Sequence, residues 1–385
     1  MIKNWTYQEE YKKLRKKIIS SIDKTLLSGN IFFGDQLNKF EKKFIKKYKL
    51  KYGAAVGSGT DALIIALKSA GIKPGDEVIT VSNTAIPTVA AINNIGAIPV
   101  FVDVNEFYLM NANLIKKKIT KKTKAIIPVH LYGQACDMDK IIKISNKYKI
   151  IIIEDCAQAQ GAKYKNRYVG TFGHLSCFSF YPTKILGTYG DGGFIACNNK
   201  KLLSEIKRQR FYGIETTNKK NKFYKKYYSI GEGINSRLNE INATILNLKF
   251  NYTDKNILIR NRIAKFYIKE LKNYELKLPL LNKHNNHVYH LFVVYHKKRD
   301  QILKYLKNKI NFNINYPYPI HEMKAHKSFV CKNCNCLNNT KKYSKGIFSL
   351  PLYPEIRNSE LKYIVKNLKI ALKKFNKNQI TSFNH

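Results

Sequence analysis

Between Lys51 and Cys197 the chain repeats one rhythm, a short apolar run followed by a helical stretch. Ala54–Val56 reads as the end of a strand, and Thr60–Ala70 follows as a helix with Ala62, Leu63, Ala66 and Leu67 at helical spacing. Glu77–Val81 and Ile98–Val104 read as strands around a helix at Thr84–Ile95. Leu114–Ile119 reads as a short helix, Ala125–Val129 as a strand, Asp139–Tyr148 as a helix and Ile150–Glu154 as a strand. Repeated β-α units of this kind build a parallel sheet covered on both faces, which restricts the chain to the α/β class. In such sheets ligands bind outside the carboxyl ends of the strands, so chemistry is expected just after each strand.

Beyond Glu154 the rhythm changes. Ser176–Phe180 and Phe194–Cys197 read as short strands around a Gly190-Asp191-Gly192-Gly193 turn, and Lys201–Arg210 as a helix. Ser236–Leu271 reads as a long helical stretch broken near Tyr252–Asp254. The remainder mixes a strand at His290–Tyr295 with helices at Asp300–Lys307 and Ser359–Phe375. A chain of 385 residues exceeds one small core, so the division expected is a large domain over 1–250, including an N-terminal helix near Gln8–Leu27, and a smaller α+β domain over 251–385. No internal repeat or Ser/Gly linker interrupts it.

The formal net charge of +43 raises the question of a nucleic-acid partner. The lysines are scattered, as at Lys116–Lys118, Lys121–Lys122 and Lys219–Lys220. They form no arm or stripe and no RNP-type or helix-turn-helix pattern, so the reading is a basic surface without nucleic acid. Such a surface would also attract a diphosphate-bearing small substrate. The seven cysteines form no even framework, the N-terminus has no apolar signal region, and no apolar run reaches membrane-spanning length. A reduced, cytoplasmic protein without a membrane partner is expected. Cys331, Cys334 and Cys336 lack a second ligand pair at zinc spacing, so no metal is expected.

Three segments carry the chemistry. In Ile150–Asp155 two carboxylates end a strongly apolar strand. A carboxylate there is costly unless it meets a positive partner, and a protonated pyridine nitrogen is one such partner; a helix cap or surface turn is the plain alternative. Phe178-Ser-Phe-Tyr-Pro-Thr-Lys184-Ile-Leu-Gly187 places one lysine among apolar and aromatic residues beside a glycine-rich turn. Desolvation there lowers an ammonium pKa and makes the amine a nucleophile, suited to a Schiff base with an aldehyde cofactor. In Val56-Gly-Ser58-Gly59-Thr60-Asp-Ala-Leu63, glycines stand between a strand and a helix start. The free amides of such a start can bind phosphate, although the loop is neither a P-loop nor a dinucleotide fingerprint, and a capped helix explains it equally well.

Together these segments resemble the DegT/DnrJ/EryC1/StrS family of sugar aminotransferases. The likeness runs over nearly the whole chain, from Ser28–Gly34 and Phe40-Glu41 through Gly57–Leu63, Gly96–Asp103 and Val129–Gly133 to Glu154–Ala159 with Phe178–Gly193. It continues in Gly233–Arg237, Tyr289–Phe292, Tyr316–His321 and Ser349–Pro354. The resemblance implies a type I, aspartate aminotransferase-like fold for pyridoxal 5′-phosphate (PLP) enzymes. That fold has a mostly parallel seven-stranded sheet in the large domain and a smaller α+β C-terminal domain. It implies that Lys184 binds the cofactor covalently and later moves the proton. Asp155 would pair with the pyridine nitrogen and Gln158 with the ring hydroxyl. Ser58, Ser179 and the amides of Gly59 and Thr60 would hold the phosphate. It also implies a homodimer in which Asn235 completes the neighbouring subunit's phosphate site, and sugar contacts from Phe32, Tyr316 and His321. One departure is Ala85, which stands where many members carry an aromatic residue stacked on the ring.

The stretches Thr84–Ile92 and Asn235–Glu240 resemble the branch that aminates carbon 3. The expected reaction is conversion of a dTDP-3-keto-6-deoxyhexose to dTDP-3-amino-3,6-dideoxyhexose, glutamate leaving as 2-oxoglutarate, for a surface glycan. Amination at carbon 4 is the alternative. A sugar 3-dehydratase is disfavoured because such relatives carry His in place of Lys184, and a non-catalytic binding protein because it needs no such set of residues.

Overall fold

A computed structural model describes residues 1–214, 228–329 and 336–376 of the chain. Seven strands form the main sheet: β1 (Tyr52–Val56), β2 (Glu77–Val81), β3 (Ile98–Val102), β4 (Thr123–Ile126), β5 (Ile151–Asp155), β8 (Leu175–Ser179) and β9 (Gly193–Cys197). Their order is β1-β9-β8-β5-β4-β2-β3. The pairs β2–β3, β2–β4, β4–β5 and β5–β8 are parallel, and β9 runs antiparallel to both neighbours. The sheet is therefore parallel except for β9, as expected of the type I fold. Between β5 and β8 a small hairpin, β6 (Lys163–Tyr164) and β7 (Arg167–Tyr168), turns through Lys165 and Asn166, whose φ of 48° and 61° suit a tight two-residue turn.

The parallel direction brings the carboxyl ends of β2, β4, β5 and β8 to one edge, from which the segments after Val81, Ile126, Asp155 and Ser179 emerge. The helix Gly59–Ser69 follows β1 and the helix Ile86–Asn94 follows β2. The latter begins two residues later than the apolar pattern suggests, because Pro87 fits only the first turn of a helix. The expected helix at Leu114–Ile119 is one α-turn, Ala112–Ile115, continued by a 3₁₀ turn. The long stretch after Ser236 is two helices, Glu240–Phe250 and Thr253–Leu271, divided at Asn251-Tyr252.

A helix at Asp35–Tyr48 buries Leu37, Phe40, Phe44 and Tyr48. Phe44 packs against Phe178 and Phe194 on β8 and β9, with ring centroids 5.1 and 4.7 Å away. Its first turn is capped from a distance: the Glu240 carboxylate accepts the amides of Gly34, Gln36 and Leu37 at 2.8–3.4 Å. This capping explains the conspicuous end of Asn235–Glu240.

β10 (Asn285–Asn286) pairs with β6, while β11 (Phe292–Tyr295) and β12 (Ile347–Leu350) pair with each other. A second core joins Tyr267, Leu271, Phe292, Phe348, Ile364 and Leu368. Among the described residues no helix is long and apolar enough to cross a membrane. Cys136, Cys156, Cys177 and Cys197 are free and buried. Cys336 is disulfide-bonded, a departure from the expected reduced state; Cys331 and Cys334 lie outside the described residues.

Candidate active site

Asp155 is the last residue of β5 and is buried at the sheet's carboxyl edge. Its Oδ1 accepts the amide of Ala157 at 3.1 Å and its Oδ2 accepts the Thr88 hydroxyl at 2.9 Å. Burial pushes the carboxyl above its ordinary pKa, opposed by these two donors and by the charges of Lys184 and His130. A buried carboxylate whose bonded partners are neutral donors has capacity left for a cation, as a protonated ring nitrogen requires.

Lys184 follows β8, its amide bonded to the Tyr181 carbonyl at 2.9 Å. Burial lowers its ammonium pKa to about 8, against the opposing pull of Asp155. Its amine makes no hydrogen bond or salt bridge among the described residues, and a lowered pKa raises the share of neutral amine that a nucleophile needs.

Gln158 lies three residues beyond Asp155. Its Oε1 accepts the amide of Tyr132 at 2.9 Å and its Nε2 donates to the Tyr316 hydroxyl at 2.6 Å. Tyr316, expected among the sugar contacts, is thus fixed beside Gln158, stacked on Tyr132 at 6.2 Å, and burial raises its phenol to about 12.

The residues expected to hold the phosphate come together at the start of helix Gly59–Ser69. Ser58 caps it, accepting the Asp61 amide at 3.0 Å. The amides of Gly59 and Thr60, in the first turn, have no partner within the helix. A Cβ on Gly59 would lie 2.7 Å from Ser179 Cβ, and one on Gly193 would lie 2.2 Å from the Ser58 carbonyl oxygen. Only glycine permits this approach, which presents amides and the Ser179 hydroxyl together. A cup of backbone amides and a hydroxyl, a buried carboxylate and a partly buried lysine therefore share one sheet edge, and they fit the ends of pyridoxal phosphate.

Other expected residues are placed apart. Asn235 is exposed, its Oδ1 accepting Arg237 Nε at 2.9 Å, while the adjacent Ser236 donates to Asp61 and accepts the Gly57 amide. Phe32 is 41 % exposed under the Arg237 guanidinium, 4.2 Å from its ring centroid. His321 is buried against β2: its Nδ1 and the Ser82 hydroxyl share a hydrogen bond at 2.7 Å, and its Nε2 has no hydrogen bond, with Glu322 at 3.7 Å. Burial lowers its pKa. Ala85 caps the helix Ile86–Asn94 through its backbone alone.

Four residues escaped the sequence reading. Thr88 binds Asp155, and its position four residues after Thr84 was the available signal. Tyr132 presents its amide to Gln158 with φ of 59°. His130 donates from Nε2 to Glu154 at 3.0 Å and accepts the Cys136 amide at Nδ1. His290 is buried with its Nδ1 unbonded, and burial with the charge of Lys184 keeps its pKa well down. His130, Glu154 and Cys156 bring ligand atoms within 4.8 Å of one another. Glu154, however, is taken by His130 and by the amides of Gly170, Phe172 and Gly173 at 2.7–2.8 Å, so the group is bonded as a structural lock.

Known proteins resemble this chain over nearly its whole length. One relative, dTDP-3-amino-3,4,6-trideoxy-alpha-D-glucose transaminase of Micromonospora megalomicea subsp. nigra, is 39% identical over 91% of this chain and 94% of its own. Another, UDP-N-acetyl-3-dehydro-alpha-D-glucosamine 3-aminotransferase of Acidithiobacillus ferrooxidans, is 36% identical over 93% of this chain and 95% of its own. The crystal structure of DesV from S. venezuelae superposes with a TM-score of 0.89 at 32% identity, covering 95% of this chain and 97% of that one. The profile of the DegT/DnrJ/EryC1/StrS aminotransferase family matches residues 12–369, and the chain belongs to that family of PLP-dependent sugar aminotransferases.

Proposed function

We propose that the enzyme transfers an amino group from glutamate to carbon 3 of a dTDP-linked 3-keto-6-deoxyhexose, giving a dTDP-3-amino-3,6-dideoxyhexose for a surface glycan. The observation that carries this reading is the convergence of Asp155, Lys184 and the Ser58–Thr60 cup on one sheet edge, in a chain whose two named relatives are both called after 3-amino or 3-dehydro sugars. The dTDP carrier follows the relative of higher identity.

Lys184 is assigned as the covalent anchor, Asp155 to the ring nitrogen, Gln158 to the ring hydroxyl, and Ser58, Gly59, Thr60 and Ser179 to the phosphate. Bound pyridoxal phosphate would supply the electron sink and carry the amino group between two half-reactions. Asp155, ionised, holds a proton on the ring nitrogen. The Lys184 amine, with its pKa drawn to about 8, takes the proton from the donor's α-carbon and later returns one to the sugar carbon. His321 Nε2 is assigned to a substrate oxygen, because it is a buried nitrogen without a hydrogen bond. Phe32 and Tyr316 are assigned to the sugar side of the site. In a homodimer the exposed Asn235 would reach the neighbouring cup.

The test is NMR identification of the product formed from glutamate and an equilibrating mixture of 3-keto and 4-keto dTDP-6-deoxyhexoses. Nitrogen at carbon 3 is expected. Nitrogen at carbon 4 would replace the regiochemistry while keeping the aminotransferase. No product would refute the dTDP substrate class.

A further inference from the structure

We infer that Thr88 is a positioning residue that holds Asp155 ionised and aimed at the cofactor ring nitrogen, with Thr84 behind it as the outer member of a two-hydroxyl relay. The inference rests on the assignment of Asp155 to that nitrogen. Thr88 Oγ1 donates to Asp155 Oδ2 at 2.9 Å, and Thr84 Oγ1 lies 3.2 Å from Thr88 Oγ1. Both hydroxyls are buried, Thr84 at 2% and Thr88 at 1% exposure. A hydroxyl has one proton. With that of Thr88 given to the carboxylate, the proton between the two threonines must come from Thr84. The relay therefore runs one way, towards Asp155.

The helix start fixes this geometry. Ala85 begins the helix Ile86–Asn94, and the Thr88 amide bonds to the Ala85 carbonyl at 3.2 Å. Thr84 and Thr88 stand one turn apart and share a face. The carboxylate needs the help, because burial alone favours its neutral form and a neutral carboxyl would not keep the ring nitrogen charged. The titratable groups facing Asp155 are Lys184 and His130, which favour its charge, and Cys156, Cys177 and Tyr316, whose ionisation its charge opposes. Lys184 is consumed when it anchors the cofactor, which leaves Thr88 and the Ala157 amide as the constant donors.

The experiment compares Thr88→Val, Thr88→Ser, Thr84→Val and Asp155→Asn as loaded enzymes, reading PLP dissociation and the pH titration of cofactor absorbance alongside turnover. A hydrogen bond to a charged group predicts that Thr88→Val weakens PLP binding about tenfold or more and shifts the absorbance titration in the direction of Asp155→Asn. Thr88→Ser should restore the wild-type titration, and Thr84→Val should give a smaller shift of the same sign. Should Thr88→Val fail to fold, Thr84→Val decides, since it leaves Thr88 in place. An unchanged titration in the threonine variants with a changed one in Asp155→Asn would overturn the relay alone. An unchanged titration in Asp155→Asn would overturn the assignment of Asp155 and the relay with it.

Discussion

Glu154 and Asp155 are consecutive on β5, yet their carboxylates serve opposite sides of the sheet edge. Glu154 accepts His130 Nε2 and the amides of Gly170, Phe172 and Gly173, while Asp155 accepts Thr88 and Ala157. The pleat of a strand enforces this separation, since successive side chains point to opposite faces. One carboxylate pins the loop before β8, and the other stands at the end of β5, where the proposed function puts the cofactor.

Glu154→Gln should destabilise the fold by about 2–4 kcal/mol, because an amide NH₂ would face donors that now meet a carboxylate oxygen. Urea unfolding of the variant measures this. Wild-type stability would mean that the 170–173 loop holds its shape without the charge.

Lys184→Ala should fold normally, retain PLP only by non-covalent contacts and lose transamination. Absorbance spectra and single-turnover assays with glutamate check both parts. Wild-type turnover would require another anchor.

The pH dependence of cofactor uptake follows from the same lysine. Capture needs the neutral amine, whose pKa is lowered by burial to about 8 from 10.5. The rate of PLP incorporation into cofactor-free protein should therefore climb about tenfold per pH unit below that value and level off above it. Stopped-flow absorbance gives the profile. A climb continuing towards 10.5 would show an exposed amine.

How much of this was legible in the chain depends on the range of the contact. The β-α alternation, the break near Tyr252 and the Asp155–Gln158 and Ser179–Lys184 spacings are local, and the structure sets these residues at the carboxyl edge of the sheet. The helix Asp35–Tyr48 was missed although Leu37, Phe40, Phe44 and Tyr48 recur at helical spacing, because its cap comes from Glu240, far along the chain. Thr88, His130 and Tyr132 were hidden for the same reason. Their roles exist only when β2, β4 and β5 lie side by side, and no single segment announces that.

Gly59→Ala should weaken PLP retention by about 1–3 kcal/mol, the usual cost of an overpacked close approach. The added Cβ would sit 2.7 Å from Ser179 Cβ and force the helix start away from β8. Equilibrium dialysis with PLP measures the loss. Undiminished retention would move the phosphate away from this cup.

Asn235 offers the test of assembly. It is exposed, bonded only locally to Arg237, and makes no hydrogen bond to Ser58, Gly59 or Ser179 of its own chain among the described residues. Asn235→Ala should lower PLP affinity while leaving Lys184 in place. Mixing this variant, weakly active alone, with Lys184→Ala, inactive alone, should create heterodimers in which the intact lysine of one chain meets the intact asparagine of the other. With random exchange in a two-fold dimer, half the dimers are mixed and each holds one native site, so activity should recover to roughly a quarter of wild type. Recovery on mixing, read beside a dimeric sedimentation profile, supports a shared site. A dimer with no recovery would place Asn235 in its own chain's chemistry, and an active monomer would remove the shared site altogether.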